Sequence, residues 1–154
     1  MNRISRHVAF MRTAEVWACR STCMRRAIGA VMAVGNHIVA QAYNGPAPGE
    51  EHCWGKGCAP DNICRRAIHA EVNAINRTAQ PYNRSPNRVL YTTESPCVAC
   101  AARIVAERLS AVYFLNLYRD LAGVNHLVTQ RVPTFRMTPA GYIINHATGE
   151  LVDD

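Results

Sequence analysis

The chain has almost no lysine. Lys56 is the only one among seventeen basic residues, set against eleven acidic ones, so the formal charge of +6 rests on arginine. Guanidinium forks match phosphate oxygens, which points toward an anionic substrate or a nucleic acid; a plainly solvated basic surface explains the same excess, and charge alone does not choose. Long apolar runs are missing too. The longest, residues 28–34 and 112–117, are strand-sized, far below the roughly 20 residues of a membrane helix. The start, MNRISRHVAF, carries positive charge without the apolar core of a signal peptide, so a cytoplasmic protein is expected. Seven cysteines, an odd number with no export signal ahead of them, are better explained by metal than by disulfides. Repeats, low-complexity segments and linkers are absent, and 154 residues with 49% hydrophobic content suit one packed domain, 1–154.

Residues 4–20, free of Pro and Gly, place Ile4, Val8, Met11, Ala14, Glu15 and Ala18 in helical register. Residues 28–34 and 37–43 flank the turn Gly35-Asn36 and read as a hairpin. From 44 to 66 Gly, Pro, Cys and charge take over, a cysteine-rich insert too long for a compact domain unless something pins it. Helical periodicity returns over 69–78 through Val72, Ile75 and Ala79. A short strand is expected at 88–93, a helix opened by Pro96 and running through Ile104, Val105 and Leu109, and a strand at 111–117. Asp120 is placed to cap a helix reaching about residue 130, and 132–137 reads as an edge strand. The tail, 139–154, carries no clear signal. This order predicts an α/β layered domain with a mixed sheet.

Two stretches repeat one device, a turn that delivers metal-ligand side chains into the first turn of a helix. In "HAEVNAI" the candidate is His69; in "SPCVAC" the candidates are Cys97 and Cys100, whose spacing puts both sulfurs on one face of the helix start. Helix N-termini carry partial positive charge and favour thiolates. Three protein ligands leave one tetrahedral position open, the mark of a catalytic rather than a structural zinc, and a water there has its pKa lowered to about 7. Glu71, two residues after His69, is placed to move protons without ligating. Each half alone is weak: H-x-E recurs by chance, His69 by itself reads as a core histidine, and C-x-x-C also serves redox pairs and structural zinc. Together, H-x-E and P-C-x-x-C form the signature of zinc nucleobase deaminases, which His69 to Glu71 and Pro96 to Cys100 fit without a gap.

With "RSTC", "AIGAVM", "AYNGPAPGEEHC", "CRRAIHAEVNAI" and "LYTTESPCVACAARIV", the chain resembles the deoxycytidylate (dCMP) deaminase family and its late-competence relatives over about residues 1–120. The resemblance implies a cytidine-deaminase-like three-layer α/β/α sandwich around a five-stranded mixed sheet. It implies zinc-dependent hydrolysis of dCMP, or a 5-substituted dCMP, to dUMP and ammonia, feeding dTMP synthesis, commonly in a hexamer. Residue by residue it implies His69, Cys97 and Cys100 as zinc ligands, Glu71 as proton shuttle, Asn44 as sugar contact and the Ala70 amide as reader of the pyrimidine O2. For the remaining substrate contacts it points to Arg25, Arg26, Ser95, Tyr118 and Arg119. Because family members often bind dCTP as activator and dTTP as inhibitor, the resemblance also implies these effectors near the loop from Tyr43 to Gly49. Two departures stand out: Ala42 replaces a glycine before "YNG", and Glu94 takes a usually apolar or histidine place, where a carboxylate alters base or phosphate preference.

Cys23, Cys53, Cys58 and Cys64 remain, three of them at C-x4-C-x5-C in the insert. As a closed four-thiolate zinc site, with His52 as alternate ligand, they would explain how so apolar-poor a loop stays ordered. Unlinked thiols are the plain alternative, and Cys19 reads as a core residue of the first helix. Two other functions compete with the mononucleotide enzyme. A deaminase of tRNA adenosine or single-stranded DNA cytosine shares the zinc core and suits the charge, but basic and aromatic residues do not interleave as strand binding requires. A non-catalytic zinc module has no use for Glu71.

Overall fold

The computed structural model describes residues 3–54, 58 and 64–153. Helix α1 (Arg6–Ala18) begins where the Ser5 hydroxyl accepts the Val8 N–H at 3.1 Å. A hairpin follows, β1 (Gly29–Val34) and β2 (His37–Tyr43), turned at Gly35, whose φ of 59° suits glycine. Then come α2 (Ala70–Arg77), β3 (Arg88–Glu94), α3 (Val98–Ala106), β4 (Ala111–Asn116), α4 (Ala122–Thr129) and β5 (Thr134–Met137). The Asp120 carboxylate accepts the Ala122 N–H at 2.9 Å, the expected capping role, with Leu121 as the cap residue itself.

Two short strands, β6 (Ile143–Asn145) and β7 (Leu151–Val152), complete one sheet of order β2-β1-β3-β4-β5-β6-β7. The sheet therefore has seven strands, not five, and β5 is not at its edge. The extra strands come from the tail, where three and two residues are too few for alternation to declare itself. Pairs β3/β4 and β4/β5 are parallel and the others antiparallel. Parallel neighbours need crossovers, which α3 and α4 supply.

Strict alternation divides the strands between two cores. Ala30, Met32, Leu90 and Val112 face α2, α3 and α4 through Ala74, Ala101, Ile104 and Leu127. Val31, Ala33, Tyr91 and Tyr113 face α1 through Phe10, Met11 and Ala14. The result is the expected three layers. Gly29 lets α1 lie close, since a Cβ there would stand 1.9 Å from the Ala14 carbonyl oxygen. The buried stripe of α2 is Ala70, Glu71, Ala74 and Ile75 rather than the expected Val72, Ile75 and Ala79: Val72 is half-buried, and Ala79 lies exposed beyond the end of the helix. Cys19 is not a core residue: it caps the exposed end of α1 and donates its S–H to the Glu15 carbonyl. Among the described residues no helix is long and apolar enough to cross a membrane.

Candidate active site

His69 and Cys97 are both helix N-caps in extended conformation, and neither side chain caps its own helix. Both are thereby free to point at each other. His69 Nδ1 lies 3.5 Å from Cys97 Sγ and 3.3 Å from Cys100 Sγ, and the three ligand atoms all fall within 4.8 Å of one another. A tetrahedral zinc, with bonds of about 2.3 Å to sulfur and about 2.05 Å to nitrogen, needs roughly 3.6 Å between them. The residues fit the ion. Gly123 of α4 sets the second turn: a Cβ there would sit 2.1 Å from the Pro96 carbonyl oxygen, so α4 packs directly on the backbone that carries Cys97.

The titration of the triad suits a divalent cation. Cys97 is drawn down to about 3, first by the Cys100 S–H that donates to it and then, against burial, by His69. Cys100 is pushed up, by that same bond and by burial. His69 is raised to about 9 by its bond to Cys97, against the cost of desolvation. One thiolate is thus shared by a thiol and an imidazolium, two protons that an ion would replace.

Glu71, in the first turn of α2, is 3% exposed, and its Oε2 has no hydrogen-bond partner. Burial pushes its pKa up, chiefly by desolvation. An orphaned buried carboxyl oxygen costs several kcal/mol unless something outside the chain meets it. It faces a cavity of about 660 Å³ shared with His69 and Cys97. The cavity lies at the carboxyl ends of β3 and β4, the place where α/β sheets hold ligands.

The expected substrate residues converge on this cavity: Arg25, Arg26, Asn44, Ser95, Tyr118 and Arg119 all line it. Two of them also brace the wall. Asn44 accepts the Ile28 N–H at 2.9 Å and donates to the Arg26 carbonyl at 2.8 Å, tying the arginine segment to the end of β2. Ser95 accepts the Tyr118 N–H at 2.8 Å. Ala70, the remaining expected substrate residue, is fully buried, stands in sequence between the cavity-lining His69 and Glu71, and does not itself line the cavity. Glu94, noted in the sequence as a departure bearing on base or phosphate preference, lines the cavity and forms an ion pair with Arg26.

The second cysteine set is less closed. Cys53 is buried, Cys23 half-buried, and Cys58 and Cys64 exposed. Among the described residues only His69, Cys97 and Cys100 gather within metal-ligand spacing. Burial raises the Cys53 thiol, Arg66 opposes it, and Cys23, Cys64 and Cys58 add to the rise at that one sulfur. Cys23 and Cys64 also line the large cavity. His52 stands instead in a separate, smaller cavity, its ring edge-on to Trp54.

Residues 4–116 match the cytidine and deoxycytidylate deaminase zinc-binding region, and the chain belongs to that family. Within it, the chain is 35% identical over 131 residues to ComE operon protein 2 of Bacillus subtilis, covering 84% of this chain and 69% of that protein. It is 30% identical over 118 residues to the deoxycytidylate deaminase of Schizosaccharomyces pombe, covering 71% of this chain but 36% of the yeast enzyme, about a third of its length. Among solved structures, the dCMP deaminase of cyanophage S-TIM5 in complex with dCMP and dUMP superposes with a TM-score of 0.76 at 30% identity, covering 84% of this chain and 95% of that one. The fold is the cytidine-deaminase one, carrying two further tail strands.

Proposed function

We propose that the chain hydrolyses dCMP, or a 5-substituted dCMP, to dUMP and ammonia. The observation that carries this reading is the unpartnered, buried Oε2 of Glu71 beside a His–Cys–Cys triad, beneath a rim of arginines. His69, Cys97 and Cys100 hold the zinc, which when bound lowers the pKa of a water to about 7. Glu71 takes a proton from the attacking water and delivers it to the ring nitrogen as the water oxygen bonds to the amino-bearing carbon, then carries the remaining hydroxyl proton to the amino group, so that the carbon–nitrogen bond breaks and ammonia leaves. A carboxyl whose basicity is raised by burial suits both transfers. Water and dCMP are consumed, dUMP and ammonia formed, so the exchange balances without any other reactant.

The Ala70 amide reads the pyrimidine O2 and Asn44 meets the sugar while bracing the Arg26 backbone. Arg25, Arg26 and Arg119 receive the phosphate, with Tyr118 between the last two. Triphosphate effectors bind, on this reading, beside the loop from Tyr43 to Gly49, where the guanidinium groups of Arg20 and Arg77 stand 6.0 and 5.9 Å from the Tyr43 ring centre. A second zinc on Cys23, Cys53, Cys58 and Cys64 would stiffen the cavity wall that two of these thiols line. Metal analysis checks it: two ions per chain are expected, falling to one with Cys58→Ser. A homo-oligomer, a hexamer in the first instance, and a cytoplasmic location complete the reading.

Ammonia release by zinc-loaded protein from dCMP, CMP, deoxycytidine, dCTP and a single-stranded oligonucleotide tests it. Turnover is expected on dCMP. Turnover confined to the oligonucleotide would make the chain a nucleic-acid deaminase, and none on any substrate would leave a zinc-binding module.

A further inference from the structure

Along β3, Leu90, Thr92 and Glu94 share the face turned toward α2 and α3. Leu90 and Thr92 are fully buried there, and at Glu94, where the sheet meets the cavity, the side chain is still only 13% exposed. A carboxylate on such a face is costly to bury unless a cation meets it. The cation is Arg26, 68 residues earlier in the chain and on a different wall of the same cavity.

Arg26 is held from three sides. Its carbonyl accepts the Asn44 amide, one terminal guanidinium nitrogen is taken by Glu94, and the guanidinium carbon lies 5.1 Å from the centre of the Tyr118 ring. Tyr118 is in turn fixed through its N–H by Ser95, next to Glu94. The Arg26 side chain nonetheless keeps 44% of its surface exposed. A guanidinium has five N–H donors, so one edge on Glu94 leaves others for an anion. An arginine already fixed loses less freedom when it grips a ligand.

We infer that Glu94 is a positioning residue for phosphate recognition: it presets Arg26 over Tyr118 so that the guanidinium meets the substrate's 5′-phosphate already oriented. The inference rests on the reading of the substrate as a nucleoside monophosphate. It runs against the simplest electrostatic expectation, in which a carboxylate at the rim repels the phosphate and its removal tightens binding.

The test uses zinc-loaded wild type, Glu94→Ala, the near-isosteric Glu94→Gln, Arg26→Ala and the Glu94→Ala/Arg26→Ala pair. The ratio of kcat/KM for dCMP over deoxycytidine is expected to fall on the order of tenfold in Glu94→Ala and Arg26→Ala, through KM for dCMP, with Glu94→Gln intermediate. The pair is expected to be no worse than Arg26→Ala alone, because both substitutions remove one device. A ratio that rises or stays put in Glu94→Ala, or losses that multiply in the pair, would overturn the role. Should wild type deaminate neither compound, the substrate reading fails, and calorimetric titration with inorganic phosphate decides the role of Glu94 by itself. Weaker phosphate binding in Glu94→Ala and Arg26→Ala alike supports it; wild-type affinity in Glu94→Ala sinks it.

Discussion

The floor of the cavity takes its chemistry from two helix starts, His69 with Glu71 and Cys97 with Cys100, each within four consecutive residues. The rim takes Arg25 and Arg26 from the connection before β1, Glu94 from the end of β3, and Tyr118 with Arg119 from beyond β4. The floor is preset by backbone geometry and packed upon by α4, with Glu71 and Cys100 buried, Cys97 half-buried and His69 open to the cavity side; the rim is held by side chains holding one another. Chemistry placed on helix starts tolerates little change. Recognition placed on connections tolerates more, so substitutions at the floor should act on turnover and those at the rim on binding.

The largest effect is expected at Glu71. Glu71→Gln keeps the shape but cannot accept a proton, so turnover should fall by about 10²–10⁴-fold. Metal content, read by elemental analysis, should stay at the wild-type value, because Glu71 is outside the triad. Loss of the ion in this variant would mean that the floor does not divide into ligands and proton shuttle.

The gathering of these four residues was legible in the sequence because His69 with Glu71, and Cys97 with Cys100, are close in local spacing. The sheet was legible to the same degree: the hairpin, β3, β4 and the three helices that follow the hairpin all show in turns, caps and apolar periodicity. What failed to show was non-local. Strands β6 and β7 exist because β5 offers them an edge, and no three-residue segment announces such pairing. Glu94 stood out as a rim carboxylate bearing on base or phosphate preference, but its pairing did not show, since Arg26 lies in another element and no period links the two. Asn44 and Ser95 showed as substrate contacts but not as braces, for hydrogen bonds to distant backbone leave no pattern along the chain.

Removing and restoring the metal measures the floor by itself. At pH 7 His69, raised to about 9, holds its proton in the metal-free protein, Cys100 is a thiol, and Cys97, lowered to about 3, is already a thiolate. Binding zinc should therefore release about two protons per ion, so that affinity climbs as pH rises and weakens as it falls. Calorimetry in buffers of different ionisation enthalpy counts those protons. Release of none would show a triad already deprotonated and refute the shared-thiolate picture.

A smaller loss is expected from behind the floor. Gly123→Ala puts a methyl group against the Pro96 and Cys97 backbone, where nothing but main chain can yield. Overpacking of this kind costs about 1–3 kcal/mol, visible as a lower melting temperature. Because the strain falls on the turn that carries Cys97, zinc affinity should drop with it. A destabilised variant with unchanged affinity would show that the turn is held by the ligands rather than by α4.

The smallest effect belongs to Arg119. Its guanidinium stands 5.8 Å from the Tyr118 ring centre, it is exposed, and no ion pair to it is seen among the described residues. A cation in that setting attracts a phosphate through solvent, an interaction worth about 1 kcal/mol or less and screened over about 8 Å at physiological salt. Arg119→Ala should accordingly raise KM for dCMP only a few-fold at low ionic strength, with kcat untouched, and the gap from wild type should close as salt is added. The partly buried pair of Arg26 and Glu94 is screened less, so the deficit of Arg26→Ala should survive the same salt. If both deficits vanish together, the rim is a diffuse field of charge and Arg26 has no fixed seat in it.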